Sequence, residues 1–200
     1  MPEHLKACVA SWRRVNPGWD HIVWTDIDFG GWFDNQDVYD RAEDHTTHVG
    51  QFRSDIARYE ILRDVGGVYV DCDFEALRPI DALLDGVECF AAWETNGVWV
   101  NNALIGAGPG HPLLFDAVAG LTANVEAHRG ERPNVMTGPQ YFTPLAVKRA
   151  ITVFPSEAFY PYRWDQLDRA GHSFPDAYAV HHWANRRKQR RAAFPEVRHG

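Results

Sequence analysis

Apolar positions change spacing along this chain, from helical intervals to strand-like runs and back, and that alternation sets the elements it predicts. Leu5, Cys8, Val9 and Trp12 recur at intervals of three and four within Glu3 to Val15, an amphipathic helix stopped by Asn16-Pro17-Gly18. His21 to Trp24 reads as a short strand running into a turn at Thr25-Asp26. Asn35 to Asp44 is polar with helical character, and Gln51 to Val65 is a second amphipathic helix with Gly66-Gly67 as its stop. Val68 to Val70 is apolar on both sides of the pleat, so a buried strand is expected. Further strands are predicted over Cys89 to Trp93, Val98 to Ile105, Ile151 to Phe154 and Tyr178 to His182. Leu113 to Val125 and Tyr141 to Ala150 read as helices, and Gly106, Gly108, Pro109 and Gly110 as a loop. Strands alternating with helices, with no internal repeat, imply an α/β protein.

Composition narrows the class. Two hundred residues suit one domain with a sizeable core, here expected over 1–185, followed by a tail over 186–200. A net charge of -7 argues against a general nucleic-acid partner, which needs a basic field. Cys8, Cys72 and Cys89 are odd in number and form no C-x-x-C pair, which indicates neither a disulfide framework nor a cysteine zinc site. With no signal peptide and no long apolar run in the sequence, a cytoplasmic location is expected. The one biased segment is Arg186 to Arg191, RRKQRR, expected to be a solvated tail, with peripheral contact to anionic lipid as the alternative. Eight Trp is high for this length; Trp93, Trp99, Trp164 and Trp183 are expected mostly in the core, with one or two free to stack on a sugar.

Chemistry concentrates between Gln51 and Asp81. At 100° per residue, Asp55, Arg58, Tyr59 and Leu62 fall within one arc of about 100° beside the apolar stripe, whereas Arg53, Glu60 and Asp64 fall further outward. Asp55 and Arg58 could merely satisfy each other as an i,i+3 pair, but burying charge is costly unless a ligand or full pairing compensates it. Asp71 and Asp73 follow the short strand with one residue between them, a spacing that can aim both carboxylates at one oxygen-preferring divalent cation. The competing views are two solvated acids at a turn, or the opening of a haloacid-dehalogenase-like phosphatase. The phosphatase needs a later lysine and acidic pair; the lysines are Lys6, Lys148 and Lys188, and no acidic pair follows Lys148 in a suitable loop.

Taken in order, these blocks resemble glycosyltransferase family 32, the D-x-D transferases that include capsule enzymes and fungal mannosyltransferases and are similar to the catalytic domain of the large glucosylating toxins. The resemblance rests on Trp12 with Asn16-Pro17-Gly18-Trp19, on Val23-Trp24-Thr25-Asp26, and on the signature Ser54-Asp55-Ile56-Ala57-Arg58-Tyr59 with Gly66-Gly67-Val68-Tyr69-Val70-Asp71-Cys72-Asp73. Leu77-Arg78-Pro79-Ile80-Asp81, Asn101-Asn102-Ala103, Gly110-His111-Pro112, Thr137-Gly138-Pro139, Phe159-Tyr160-Pro161 and Val180-His181-His182-Trp183 support it.

The resemblance implies a GT-A-like fold, a Rossmann-type mixed sheet flanked by helices. It also implies retaining transfer of a sugar from a nucleotide-sugar donor to a glycan, lipid-linked or small-molecule acceptor, with Mn²⁺ or Mg²⁺. By position, Asp71 would face ribose and sugar, Asp73 would hold the metal with Asp71, and Asp55 and Arg58 would bond the transferred sugar and its phosphate. Tyr69 joins that donor-binding set, Asn102 is the candidate for sugar hydroxyls, and His181 the last metal ligand, with His182 competing. Family members open with a further strand upstream of the first helix, whereas this sequence starts at Met1-Pro2-Glu3. The sheet is therefore expected to lack that strand and the nucleobase one of its walls; the alternative function is a non-catalytic nucleotide-sugar-binding remnant.

Overall fold

A computed structural model of the protein describes residues 1–184; the tail at Arg186 to Arg191 lies outside the described residues. In chain order the helices are α1 (Glu3–Val15), α2 (Gln36–Asp40), α3 (Ala42–His45), α4 (Val49–Asp64), α5 (Pro112–Ala127), α6 (Pro133–Met136), α7 (Pro139–Lys148) and α8 (Ser156–Phe159). The strands are β1 (Gly67–Val70), β2 (Phe74–Ala76), β3 (Cys89–Thr95), β4 (Trp99–Ala107), β5 (Thr152–Phe154) and β6 (Ala179–His181). They fall into two compact units: the larger comprises His21–Asp71 and Asp81–Pro155, the smaller Met1–Asp20, Cys72–Ile80 and, of the described residues, 156–184.

The larger unit is built on a mixed sheet of order β1-β4-β3-β5, antiparallel except for the parallel pairing of β3 with β5. β4 is buried from Val100 to Ala107, and β3 from Cys89 to Ala92, as fits their inner positions. Among the described residues β1 pairs with β4 alone, Gly67 opposite Ala107 and Val70 opposite Leu104. It is accordingly only half-buried, not the fully buried strand its apolar run predicts.

α4 supplies the centre of the core with Phe52, Ile56, Tyr59, Ile61 and Leu62, packed among Leu113, Leu114, Val118 and Phe142. Burying each such side chain contributes about 1.5–3 kcal/mol. The helix is enclosed on every side from Asp55 to Leu62, so the predicted outward face is wrong at Glu60, which is 1% exposed. Its carboxylate stays tolerable because Oε1 accepts from the Asn35 backbone N–H at 2.9 Å and amide at 2.8 Å, and Oε2 meets Arg63 at 3.3 Å.

The helix ends where Gly66 takes φ +70°, with its backbone N–H on the Leu62 carbonyl at 3.1 Å. A Cβ at Gly66 would stand 2.6 Å from the Pro109 nitrogen, so the position needs glycine for both conformation and space.

The smaller unit lays α1 against a two-stranded antiparallel ribbon, β2 paired with β6. Trp12 Nε1 donates to the Phe74 carbonyl at 3.0 Å, the Ala76 N–H donates to Ser11 Oγ at 2.8 Å, and the Ile80 N–H to Asn16 Oδ1 at 3.0 Å. Asn16 therefore ties the end of α1 to the segment after β2 besides stopping the helix.

The expected strand at His21 to Trp24 is absent: that stretch forms no regular element, and Ile22 and Val23 are exposed. Its apolar run instead ends in an aromatic cluster, Trp24 stacking on Phe29 at 5.9 Å and tilting against Trp32 at 5.7 Å. The predicted polar helix at Asn35 to Asp44 is broken into α2 and α3. β2, α6 and α8, each of three or four residues, carry too little pattern to be read in advance. Of the four tryptophans, Trp183 is buried and Trp93 packs on the core, whereas Trp99 and Trp164 are exposed.

Candidate active site

In the larger unit, α4 carries Asp55 and Arg58 one turn apart, 1% and 2% exposed. Arg58 Nη1 lies 3.2 Å from Asp55 Oδ1, and Nη2 donates to Asp71 Oδ1 at 3.0 Å. The remaining donors turn back on the helix: Nε to the Ser54 carbonyl at 3.0 Å and Nη2 to Ser54 Oγ at 3.1 Å. The guanidinium plane covers the Tyr69 ring at 4.9 Å, which fixes it from one face. Asp71 follows β1 directly, its N–H still bonded to the Ala103 carbonyl at 2.9 Å, so its carboxylate starts from a fixed ladder position.

A second layer holds Asp55. Asn102 Nδ2, from the centre of β4, donates to Asp55 Oδ1 at 2.9 Å, and Thr137 Oγ1 donates to Oδ2 at 2.9 Å. Asn102 Nδ2 also lies 2.8 Å from the Tyr59 hydroxyl, which donates to the Thr137 carbonyl at 2.8 Å. The Thr137-Gly138 turn approaches so closely that a Cβ at Gly138 would lie 3.3 Å from Asp55 Oδ2. Tyr59 and Thr137 were not singled out as site residues by the sequence reading. The signals were present, Tyr59 one residue after Arg58 and Thr137 heading a supporting block, but no spacing rule links positions 78 residues apart.

These surroundings set the charges. Burial raises the Asp55 carboxyl to about 6, while Arg58, Thr137 and Asn102 act to lower it. Burial opposes the charge on Arg58, yet Asp71 and then Asp55 outweigh it and raise its pKa, so the guanidinium stays protonated. Burial, and next the charge of Asp71, raises the Tyr69 phenol and keeps it neutral. The result is a desolvated cation with one half-buried partner, Asp71, whose side chain is 26% exposed.

In the smaller unit, Asp73 Oδ1 lies 3.0 Å from His181 Nε2, and Oδ2 accepts from the Ala184 N–H at 2.8 Å. Burial would raise the Asp73 carboxyl, but the His181 charge and the hydrogen bonds from His181 and Ala184 hold it well below the usual carboxylate range. His181 is 6% exposed and clamped between aromatic rings, parallel to Phe74 at 4.5 Å and tilted to Trp183 at 4.1 Å. His182 points elsewhere: Nε2 lies 3.0 Å from Glu75 Oε2, and Nδ1 lies 3.2 Å from the Tyr162 hydroxyl. Of the two competing histidines, His181 is the one beside a D-x-D carboxylate.

Known proteins resemble this chain in sequence and in fold. Residues 2–90, which hold α1, α4 and both aspartates of the D-x-D, match the family model described as a glycosyltransferase sugar-binding region containing DXD motif. Over residues 2–90 the chain is similar to the D-x-D glycosyltransferases. The resemblance read from the sequence therefore holds. Inositol phosphoceramide mannosyltransferase 1 of Schizosaccharomyces pombe is 29% identical over 76% of this chain and 49% of its own length. Inositol phosphoceramide mannosyltransferase 3 of the same organism is 25% identical over 92% and 56%. A mannosyl phosphorylinositol ceramide synthase of Saccharomyces cerevisiae is 32% identical over 60% and 31%. The chain thus spans about half the length, or less, of these relatives.

Among solved structures, the PaToxG glycosyltransferase shares the fold, with a TM-score of 0.58 at 14% identity over 74% of this chain and 63% of that one. The expected α/β, GT-A-like class with a mixed sheet flanked by helices is the one observed. No helix among the described residues is long and apolar enough to cross a membrane.

Proposed function

We propose that this protein is a metal-dependent, retaining glycosyltransferase that moves a sugar from a nucleotide-sugar donor to a glycolipid or glycan acceptor. The observation that carries the reading is the buried Asp55–Arg58–Asp71 chain of charges, inside the matched D-x-D region, with Asp71 as its outer end. A buried ion pair is a poor way to stabilise a fold, and this one ends on the half-buried Asp71, within reach of a ligand. The names of the relatives point to an inositol phosphoceramide as acceptor.

Asp71 and Asp73, two residues apart in the chain, together with His181, supply two carboxylates and an imidazole, a donor set that fits Mn²⁺ or Mg²⁺. Clamping of the His181 ring by Phe74 and Trp183 holds Nε2 toward Asp73, as a ligating imidazole requires. Such an ion, when bound, offsets negative charge on a departing diphosphate. The chain does the rest. Arg58 opposes the same charge from a desolvated position where its electrostatic effect is strong. Asp55 and Asp71 stabilise positive character on the sugar ring and bond its hydroxyls. Asn102, Tyr59 and Thr137 hold Asp55 in the geometry this needs.

The test is hydrolysis of nucleotide-sugar donors with Mn²⁺, with and without a lipid acceptor. Turnover is expected in the wild type and is expected to vanish in Asp73→Ala and in excess EDTA. Activity surviving both would overturn the reading, and donor binding without turnover on a broad acceptor panel would make the chain a sugar-nucleotide-binding remnant instead.

A further inference from the structure

The ribbon of the smaller unit has two chemically different faces. In its register Phe74 opposes His181 and Ala76 opposes Ala179, and these four residues are buried. Adjacent residues of a strand point to opposite sides, so Glu75, Val180 and His182 belong to the other face. The His181 ring, which meets Asp73, thus belongs to the face opposite Glu75 and Val180.

On the Glu75 side lies a cleft of about 370 Å³, bounded by the chain around 170–175. Its polar lining includes Glu75, Arg78, His172 and His182, and its apolar wall includes Leu77 and Phe174. The wall is braced from behind: Phe174 stacks on the buried Tyr162 ring at 5.7 Å, and the Tyr162 hydroxyl orients His182. Glu75 and His182 hold each other at 3.0 Å. Arg78 is anchored through its guanidinium face, 4.4 Å over the Tyr178 ring, and by a long bond of 3.4 Å to the Asp176 carbonyl. It pairs with no carboxylate among the described residues.

We infer that this cleft is a second binding subsite, for a hydroxylated ring that carries an anionic substituent. An oriented carboxylate–imidazole pair offers both an acceptor and a donor to vicinal hydroxyls. An aromatic wall opposite a few placed polar groups is the usual make-up of a small-molecule site. Arg78 presents a planar fork to a phosphate or carboxylate, and His172 lines the same cleft. The inference rests on the glycosyltransferase reading only for what the subsite serves: it holds the remote part of the acceptor, across the ribbon from His181.

The experiment is calorimetric titration of the full chain in excess EDTA without donor, so the outcome does not depend on turnover. The probes are myo-inositol 1-phosphate, myo-inositol and inorganic phosphate. The phosphorylated ring is expected to bind saturably, with either half alone weaker by about tenfold, and Arg78→Gln is expected to weaken it by about tenfold. Phe174→Ala supplies an independent variant, with circular dichroism and melting temperature establishing that each is folded. No saturable binding, equal affinity for inorganic phosphate alone, or unaltered binding in both folded variants would overturn the subsite. Loss of donor hydrolysis in the wild type, with probe binding intact, would instead count against the catalytic reading alone.

Discussion

Asp55 carries the sharpest consequence of burial at a single position. Its carboxyl is raised from the ordinary 3.8 to about 6 by desolvation, although Arg58, Thr137 and Asn102 favour the charged form. If the carboxylate works on the donor, turnover falls as pH drops through about 6 and is lower by about tenfold one unit below that point. Stability moves the other way. Because the native pKa exceeds the unfolded one, this group's stabilising contribution is complete below about 3.8 and is lost as pH rises through about 6. Asp55→Asn should remove both the activity and that part of the pH dependence of unfolding, measured by pH–rate profiles and denaturant melts. A profile with no acidic limb near 6 would remove Asp55 from the reacting site.

At the scale of elements, α4 and β1 matter as a unit, and the turn between them sets where Asp71 begins. Gly66 occupies φ +70° with Pro109 against it, so Gly66→Ala combines a strained conformation with a backbone clash. A loss of about 1–3 kcal/mol is expected, read as a lowered denaturant midpoint. Because the turn leads directly into β1, donor turnover should fall further than stability alone accounts for. Unchanged stability in this variant would show that the turn can rearrange.

The same pair of elements shows how far the pattern reaches. Helical spacing was enough to bring Asp55 and Arg58 to one side, since that follows from 3.6 residues per turn. It could not show that α4 is enclosed all round, because Glu60 becomes tolerable through Asn35, 25 residues away, as well as through Arg63. Likewise the apolar run Val68 to Val70 identified a strand but not its edge position, which depends on what pairs beside it.

Across the whole molecule, a donor that binds only the native state raises its stability by mass action, by about 2.7 kcal/mol at a hundredfold excess over Kd. A screen of nucleotide sugars with Mn²⁺ should therefore raise the melting temperature for one donor class, with the shift abolished by EDTA. A uniform absence of shifts would speak against donor binding. Arg58→Lys is a useful companion, because a point charge cannot span Asp55 and Asp71 as the guanidinium fork does.

By itself the sequence determined the α/β class, the helix bearing Asp55 and Arg58, the D-x-D after a short strand, and the family likeness. All of these are carried by local spacing and by ordered blocks. Only the tertiary structure decided which partners each charge has. It put Thr137 and Asn102 on Asp55, Asp71 on Arg58, and His181 rather than His182 on Asp73. It also dissolved the strand expected at His21 to Trp24 into an aromatic cluster. The physical reason is common to these cases: hydrogen bonds and desolvation are fixed by residues distant in the chain, and periodicity within one element contains no information about them.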